Sequence, residues 1–164
     1  SAALLNSIGI GLTNVIFTFI GINLIDKLGR RVLMYIGSIG YIISLTLISL
    51  SFILDWGGIA LPIFLFLFIA SHAIGQGAII WVYISEIFPN HIRSYGQSFG
   101  ISTHWVLAAI IPSFVPFLFG LIGPGIVFAF FAFMMVLQLL FTHFIMPETK
   151  GVSLEELSKK LIKN

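Results

Sequence analysis

Glu86 and Arg93 stand seven residues apart in WVYISEIFPNHIR, residues 81–93, between two of the most apolar stretches of the chain. A carboxylate and a guanidinium so placed can pair, and paired groups can hold neighbouring segments together. Asp26-Lys-Leu-Gly-Arg30-Arg31 offers the same residue types a second time. Asp26 and Glu86 each end a long apolar run, and at a helix C-terminus the macrodipole disfavours a negative charge unless a cation is close. Each therefore calls for a basic partner, with Arg30, Arg31 and Arg93 as candidates. An arginine fork holds carboxylates in a stricter geometry than lysine. Inside the apolar runs lie Asn14, His72, Trp81, His104 and Trp105. A polar or ionisable group deep in an apolar span is a functional candidate by default.

Several chemistries are excluded by the same inventory. No acid lies within an apolar run, so paired-carboxylate glycosyl transfer has nowhere to occur, and no nucleophile constellation appears. Two deep histidines without carboxylates or thiols supply too few ligands for a metal, and cysteine is absent. The expectation is a protein that is not an enzyme and needs neither cofactor nor metal. Nucleic-acid binding is not expected either, because topology and pairing account for the basic residues.

The elements that position these groups follow from composition. Hydrophobic residues make up 59% of the 164 and charged residues 9%, with a mean hydropathy of +1.11. Such a chain is read as lipid-embedded. Charge-free runs cover 1–25, 32–54, 56–85 and 94–147. A spanning helix needs about 20 apolar residues, so the first three runs hold one span each and the last holds two, divided near Gly120 to Gly125. The reading is an all-α membrane protein with five transmembrane helices at about 4–25, 32–54, 61–85, 95–118 and 125–146. Unbroken runs of this length exclude the alternating strands of a membrane barrel.

All eight basic residues then fall on one side: Lys27, Arg30, Arg31, Arg93, Lys150, Lys159, Lys160 and Lys163. The positive-inside rule makes that side cytoplasmic, and with it the C-terminus. Asp55, beside Trp56, is the one charge on the opposite side. Residues 148–164 read as a cytoplasmic tail, in which Ser153 and Glu156 form a capping-box pattern and Leu154, Leu157 and Leu161 recur at helical spacing. The chain begins within an apolar run without a basic leader, so a signal peptide is not expected and the chain is read as a fragment.

DKLGRR at 26–31, WVYISEIFPNHIR at 81–93 and PETKG at 147–151, in this order and separated by these spans, resemble the sugar porter family of the major facilitator superfamily. The resemblance runs from about residue 9 to the end of the chain. It implies spans eight to twelve of a twelve-helix transporter, the N-terminal half and the seventh helix lying outside this chain. It further implies a cytoplasmic ion-pair network that closes the inner side in the outward-facing state, carried here by Asp26, Arg30, Arg31, Glu86, Arg93 and Glu148.

The resemblance also points to substrate-binding residues. Asn14, in GLTNVIFT, matches the sugar-contacting asparagine of the eighth helix. Trp81 matches a sugar-stacking tryptophan, just beyond Gly75 and Gly77, which weaken the third span. His104, beside Trp105, stands where some relatives carry a sugar-contacting asparagine, and it shares a small or polar face with Gln97, Gly100 and Ala108. His72 and His104 can each hydrogen-bond sugar hydroxyls or serve as a proton-coupling site. Many members have prolines where Ala78 and Ile80 stand, and the acid found nearby in glucose carriers appears as Ala73, which weighs against glucose. The expected function is transport of a hexose or pentose by alternating access in the inner or plasma membrane, as a proton symporter. The alternatives are a facilitated-diffusion uniporter, a polyol carrier or a non-transporting sugar sensor. Expected partners are the sugar, protons, the bilayer and the N-terminal half.

Overall fold

The computed structural model describes residues 2–152 and residue 155. The tail helix expected around Leu154, Leu157 and Leu161 lies outside them. Among the described residues six helices run in order: α1 (Ala2–Leu28), α2 (Arg30–Ile53), α3 (Ala60–Ile74), α4 (Gln76–Ile87), α5 (Arg93–Ile122) and α6 (Pro124–Phe144). Together they make five membrane-length apolar spans, α3 and α4 sharing the span Ala60–Ile87. The all-α, five-span reading therefore holds.

One detail differs from the sequence reading and one follows it. The helices extend beyond the apolar cores: α5 begins at Arg93 and continues to Ile122, where about 95–118 was expected. A helix satisfies its own backbone and has no reason to stop where the hydrocarbon stops. Pro112 and Pro116 also sit inside α5 without ending it. The third span, by contrast, is interrupted at Gly75, whose φ of −92° and ψ of −108° are not helical.

In lipid there is little hydrophobic force between helices, so close association relies on small residues that let backbones approach. α2 supplies them, with Gly37, Ser38, Ser44 and Ser49 among its buried positions. A Cβ on Gly75 would stand 2.6 Å from the Cα of Gly37. On Gly40 it would meet the Ser71 Cβ at 2.7 Å. Gly21 of α1 closes on the break from another side, where a Cβ would lie 3.0 Å from the Ala73 carbonyl oxygen. The interruption is thus clasped between α1 and α2, backbone against backbone. α2 packs also against α6, where Ser49 Oγ donates to the Gly125 carbonyl at 2.7 Å. One buried apolar cluster joins Ile25, Leu33, Met34, Ile79 and Met146, and a second joins Tyr41, Leu45 and Ala132. α5 stands apart, with no buried residue.

Candidate functional site

The charged residues gather at one end of the bundle around Arg30, the first residue of α2. Its Nε donates to Glu86 Oε2 at 3.2 Å and its Nη2 to Glu86 Oε1 at 2.8 Å, a two-bond fork. Nη1 donates to Asp26 Oδ1 at 3.1 Å and to the Ile25 carbonyl at 3.2 Å. One guanidinium therefore ties α1, α2 and α4 together. Both acids that the macrodipole argument marked as needing a cation have found the same one. The Arg30 and Glu86 side chains are 12% and 22% exposed, whereas Asp26 is 81% exposed. Screening is weaker for the half-buried pair, so Glu86 is the stronger partner.

Glu148 was expected as an ion-pair member; the structure corrects this. Its carboxylate accepts the backbone N–H of Arg30 and of Arg31, each at 3.0 Å, and caps the first turn of α2 from the other end of the chain. It also accepts the N–H groups of Thr149 and Lys150. The cap fits because orphan N–H groups and the positive end of the macrodipole favour a carboxylate there. It also requires Gly29: its φ of 95° suits glycine, and a Cβ there would stand 2.5 Å from Glu148 Oε2. The next two residues continue the pattern. Thr149 Oγ1 donates to Glu86 Oε2 at 2.6 Å, and Lys150 Nζ donates to the Lys27 carbonyl at the end of α1 at 2.5 Å.

Arg31 and Arg93 were expected in the same network; among the described residues neither pairs with an acid. Arg31 turns to the end of α6, its Nε donating to the Thr142 carbonyl at 3.0 Å and its Nη2 to the His143 carbonyl. Cations are favoured at a helix C-terminus for the same electrostatic reason that anions are favoured at the other end. Arg93 Nε donates to the Phe88 carbonyl at 3.2 Å, and its Nη2 is buried without a partner among the described residues. Arg93 nevertheless shares a cavity of about 510 Å³ with Arg30, Glu86, Gln97 and Thr149.

The residues within the spans form two groups. Trp81 of α4 meets His104 of α5 edge to face, with ring centroids 4.9 Å apart, and Trp105 meets His104 at 5.5 Å. Trp81 and Trp105 remain 38% and 63% exposed, presenting indole faces and an N–H beside a histidine. The second group lies at the break. His72 Nδ1 shares a 2.5 Å hydrogen bond with the Tyr41 hydroxyl of α2, and a Cβ on Gly77 would stand 2.9 Å from His72 Nε2. Ser38 Oγ accepts from the side-chain amides of Gln76 at 3.2 Å and Gln138 at 3.3 Å. This joins α2, α4 and α6. Asn14 is exposed on α1 and its side chain makes no hydrogen bond to a described residue. It is two turns from Gly21, on the same helix face.

Tyr41, Gln76, Gln138 and Thr149 did not emerge from the sequence reading. A tyrosine and two glutamines within apolar runs were the available signal for the first three. For Thr149 the signal lay in PETKG, read there for its glutamate alone. The bonding of each residue depends on helices far apart in sequence.

Comparison with known proteins agrees with this geometry. The family model "Sugar (and other) transporter" matches residues 1–161. The arabinose-proton symporter of Bacillus subtilis (strain 168) is 41% identical over 157 residues, covering 94% of this chain and 33% of the relative. The glucose transporter GlcP of Staphylococcus epidermidis is 38% identical over 170 residues, covering 98% of this chain and 37% of the relative. Among solved structures, the inward-open xylose transporter XylE from E. coli superposes with a TM-score of 0.89 at 31% identity, over 97% of this chain and 36% of that one. The chain thus spans about a third of the length of the relatives it matches. A broken third span, a forked arginine joining three helices and a family match along nearly its whole length agree: the chain belongs to the sugar (and other) transporter family of the major facilitator superfamily.

Proposed function

We propose that this chain forms part of a carrier that moves a hexose or pentose across the cell membrane by alternating access, in symport with protons, its charged end cytoplasmic. The observation that carries the reading is the edge-to-face meeting of Trp81 and His104 beside an interrupted span. An indole face suits the C–H surface of a sugar, and an imidazole nitrogen suits its hydroxyls. Interrupted helices and inward-facing polar groups mark transporter binding sites. In this proposal Trp81, Trp105, His104, Gly77 and Asn14 provide part of the sugar site. His72, held by Tyr41, supports it from behind the break. Symport is favoured by the similarity to an arabinose-proton symporter. No acid stands in the middle of a span, which supports carriage of the sugar rather than its conversion.

Arg30 with Asp26 and Glu86 is the proposed inner gate, and Arg93, with its unpartnered Nη2, is the group left to meet an acid elsewhere in the protein. Weak pairs near a wet surface, about 0–1 kcal/mol each, can bias a two-state equilibrium without freezing it. The test is uptake of labelled hexoses and pentoses into vesicles carrying the protein at its natural length, with and without a protonophore. Accumulation that the protonophore abolishes is the expected result. Equilibration that ignores the protonophore would overturn symport and leave a uniporter, and no uptake of any sugar would overturn the carrier reading.

A further inference from the structure

Outside the gate, one polar cluster is left unexplained by transport. Arg31 reaches across to α6, where its Nε and Nη2 hold the Thr142 and His143 carbonyls, and its guanidinium carbon lies 5.9 Å from the centroid of the Tyr35 ring. The Tyr35 hydroxyl shares a 2.9 Å hydrogen bond with His143 Nδ1. Arg31 Nη1 and His143 Nε2 make no hydrogen bond to a described residue, and Arg31 has no carboxylate partner among those residues. Glu148, which accepts the Arg31 backbone N–H, is already occupied, because its carboxylate accepts four backbone N–H groups. One further cation lies nearby. Lys150 shares the Glu148 carboxylate with Arg31 through its backbone N–H, and its Nζ rests on the Lys27 carbonyl.

The cluster sits where the apolar, membrane-length span of α6 ends, and headgroups are expected at the end of such a span. Below it the surface is apolar and open: Ile39, two turns along the same stripe of α2 as Arg31 and Tyr35, is 47% exposed, and Leu140, about one turn before His143 on α6, is 46% exposed. A guanidinium with a free Nη1 and an imidazole oriented by a hydroxyl, above two exposed apolar side chains, match an anion that carries acyl chains. We propose that Arg31, through its free Nη1, and His143, held in place by the Tyr35 hydroxyl, seat the phosphate of an anionic glycerophospholipid, its acyl chains lying along Ile39 and Leu140. Zwitterionic lipid, whose ammonium meets a surplus of positive charge there, is disfavoured.

The test compares thermal midpoints of the purified natural-length protein in detergent with added phosphatidylglycerol, phosphatidylcholine or inorganic phosphate. Phosphatidylglycerol should raise Tm above the phosphatidylcholine value by about 3 °C or more, as expected for a ligand that binds only the folded state. Inorganic phosphate should not. Tyr35→Phe with His143→Ala, and separately Arg31→Gln, should remove at least half of the difference between the two lipids. A merely structural role would lower Tm equally in both lipids and leave that difference intact, which would overturn the proposal. So would equal stabilisation by the two lipids, or full stabilisation by inorganic phosphate. If Arg31→Gln fails to fold, the double variant at Tyr35 and His143 still decides.

Discussion

Arg30 grips both carboxylate oxygens of Glu86, at 2.8 and 3.2 Å, and the same Glu86 Oε2 receives the Thr149 hydroxyl at 2.6 Å. Three segments separated by more than fifty residues therefore meet on one carboxylate. If this meeting point is the inner gate, Glu86→Gln should raise the population open to the charged end. About 1 kcal/mol, roughly fivefold in the equilibrium, is the expected size. Arg30→Lys should do nearly the same, because an ammonium cannot reproduce the fork. Accessibility of engineered cysteines lining the cavity at this end measures the shift, and unchanged labelling in both variants would sink the gate reading.

The cap on α2 makes a separate prediction about stability. Glu148→Ala should cost about 1–2 kcal/mol, the range of a lost helix cap. Gly29→Ala should cost at least as much, since it meets both an unfavourable φ and the Glu148 carboxylate. The two changes disrupt one contact, so their effects should fall short of additive in a double-mutant cycle read by thermal or denaturant unfolding. Full additivity would show that Gly29 and Glu148 act independently.

The clasp around the break is tested by adding one methyl group. Gly37→Ala and Gly75→Ala each push a Cβ into backbone less than 3 Å away, and overpacking of this kind costs about 1–3 kcal/mol. Gly11, on α1 with nothing within 4 Å of its would-be Cβ, is the control. Its change to Ala should leave unfolding unaltered or slightly favour the helix. Equal tolerance at all three positions would mean that α2 does not hold the break by close approach.

Sugar binding at the aromatic cluster predicts a fluorescence signature. Of the three tryptophans, Trp81 and Trp105 flank His104, while Trp56 follows α2 at the opposite end. Quenching by a bound sugar should survive Trp56→Phe, fall in Trp81→Phe and be lost when Trp81 and Trp105 are both replaced by Phe. Trp81→Ala should weaken sugar affinity about tenfold, roughly 1.4 kcal/mol, in the range for stacked aromatic contacts. Quenching that persists undiminished in a variant lacking both Trp81 and Trp105 would place the sugar elsewhere.

Orientation is open to direct measurement. With a membrane-impermeant maleimide applied to intact cells, Asp55→Cys should be labelled and His91→Cys should not. His91 is an exposed residue between α4 and α5. The reverse pattern would invert the proposed topology.

Length, apolarity and charge placement settle much of this protein before any coordinate is known. Uninterrupted apolar runs dictate helices, because only a helix satisfies its own backbone in lipid. Gly75 in the middle of a span, and the GLIGPG stretch between the last two, mark where helices stop, since both signals are local to the chain. That Asp26 and Glu86 require cations was equally legible, being a matter of each residue's place on its own helix. Partner choice was not. Arg31 and Arg93 carry the same charge as Arg30, yet only Arg30 stands where α1, α2 and α4 converge, while Arg31 faces the end of α6 and Arg93 the carbonyl of Phe88. Glu148 looks like an ion-pair acid in sequence and becomes a helix cap because Gly29, 119 positions earlier, leaves room for it. The sequence states which groups must be satisfied; the arrangement of helices in three dimensions decides which groups satisfy them, because distance and direction between segments remote along the chain exist only once the bundle has packed.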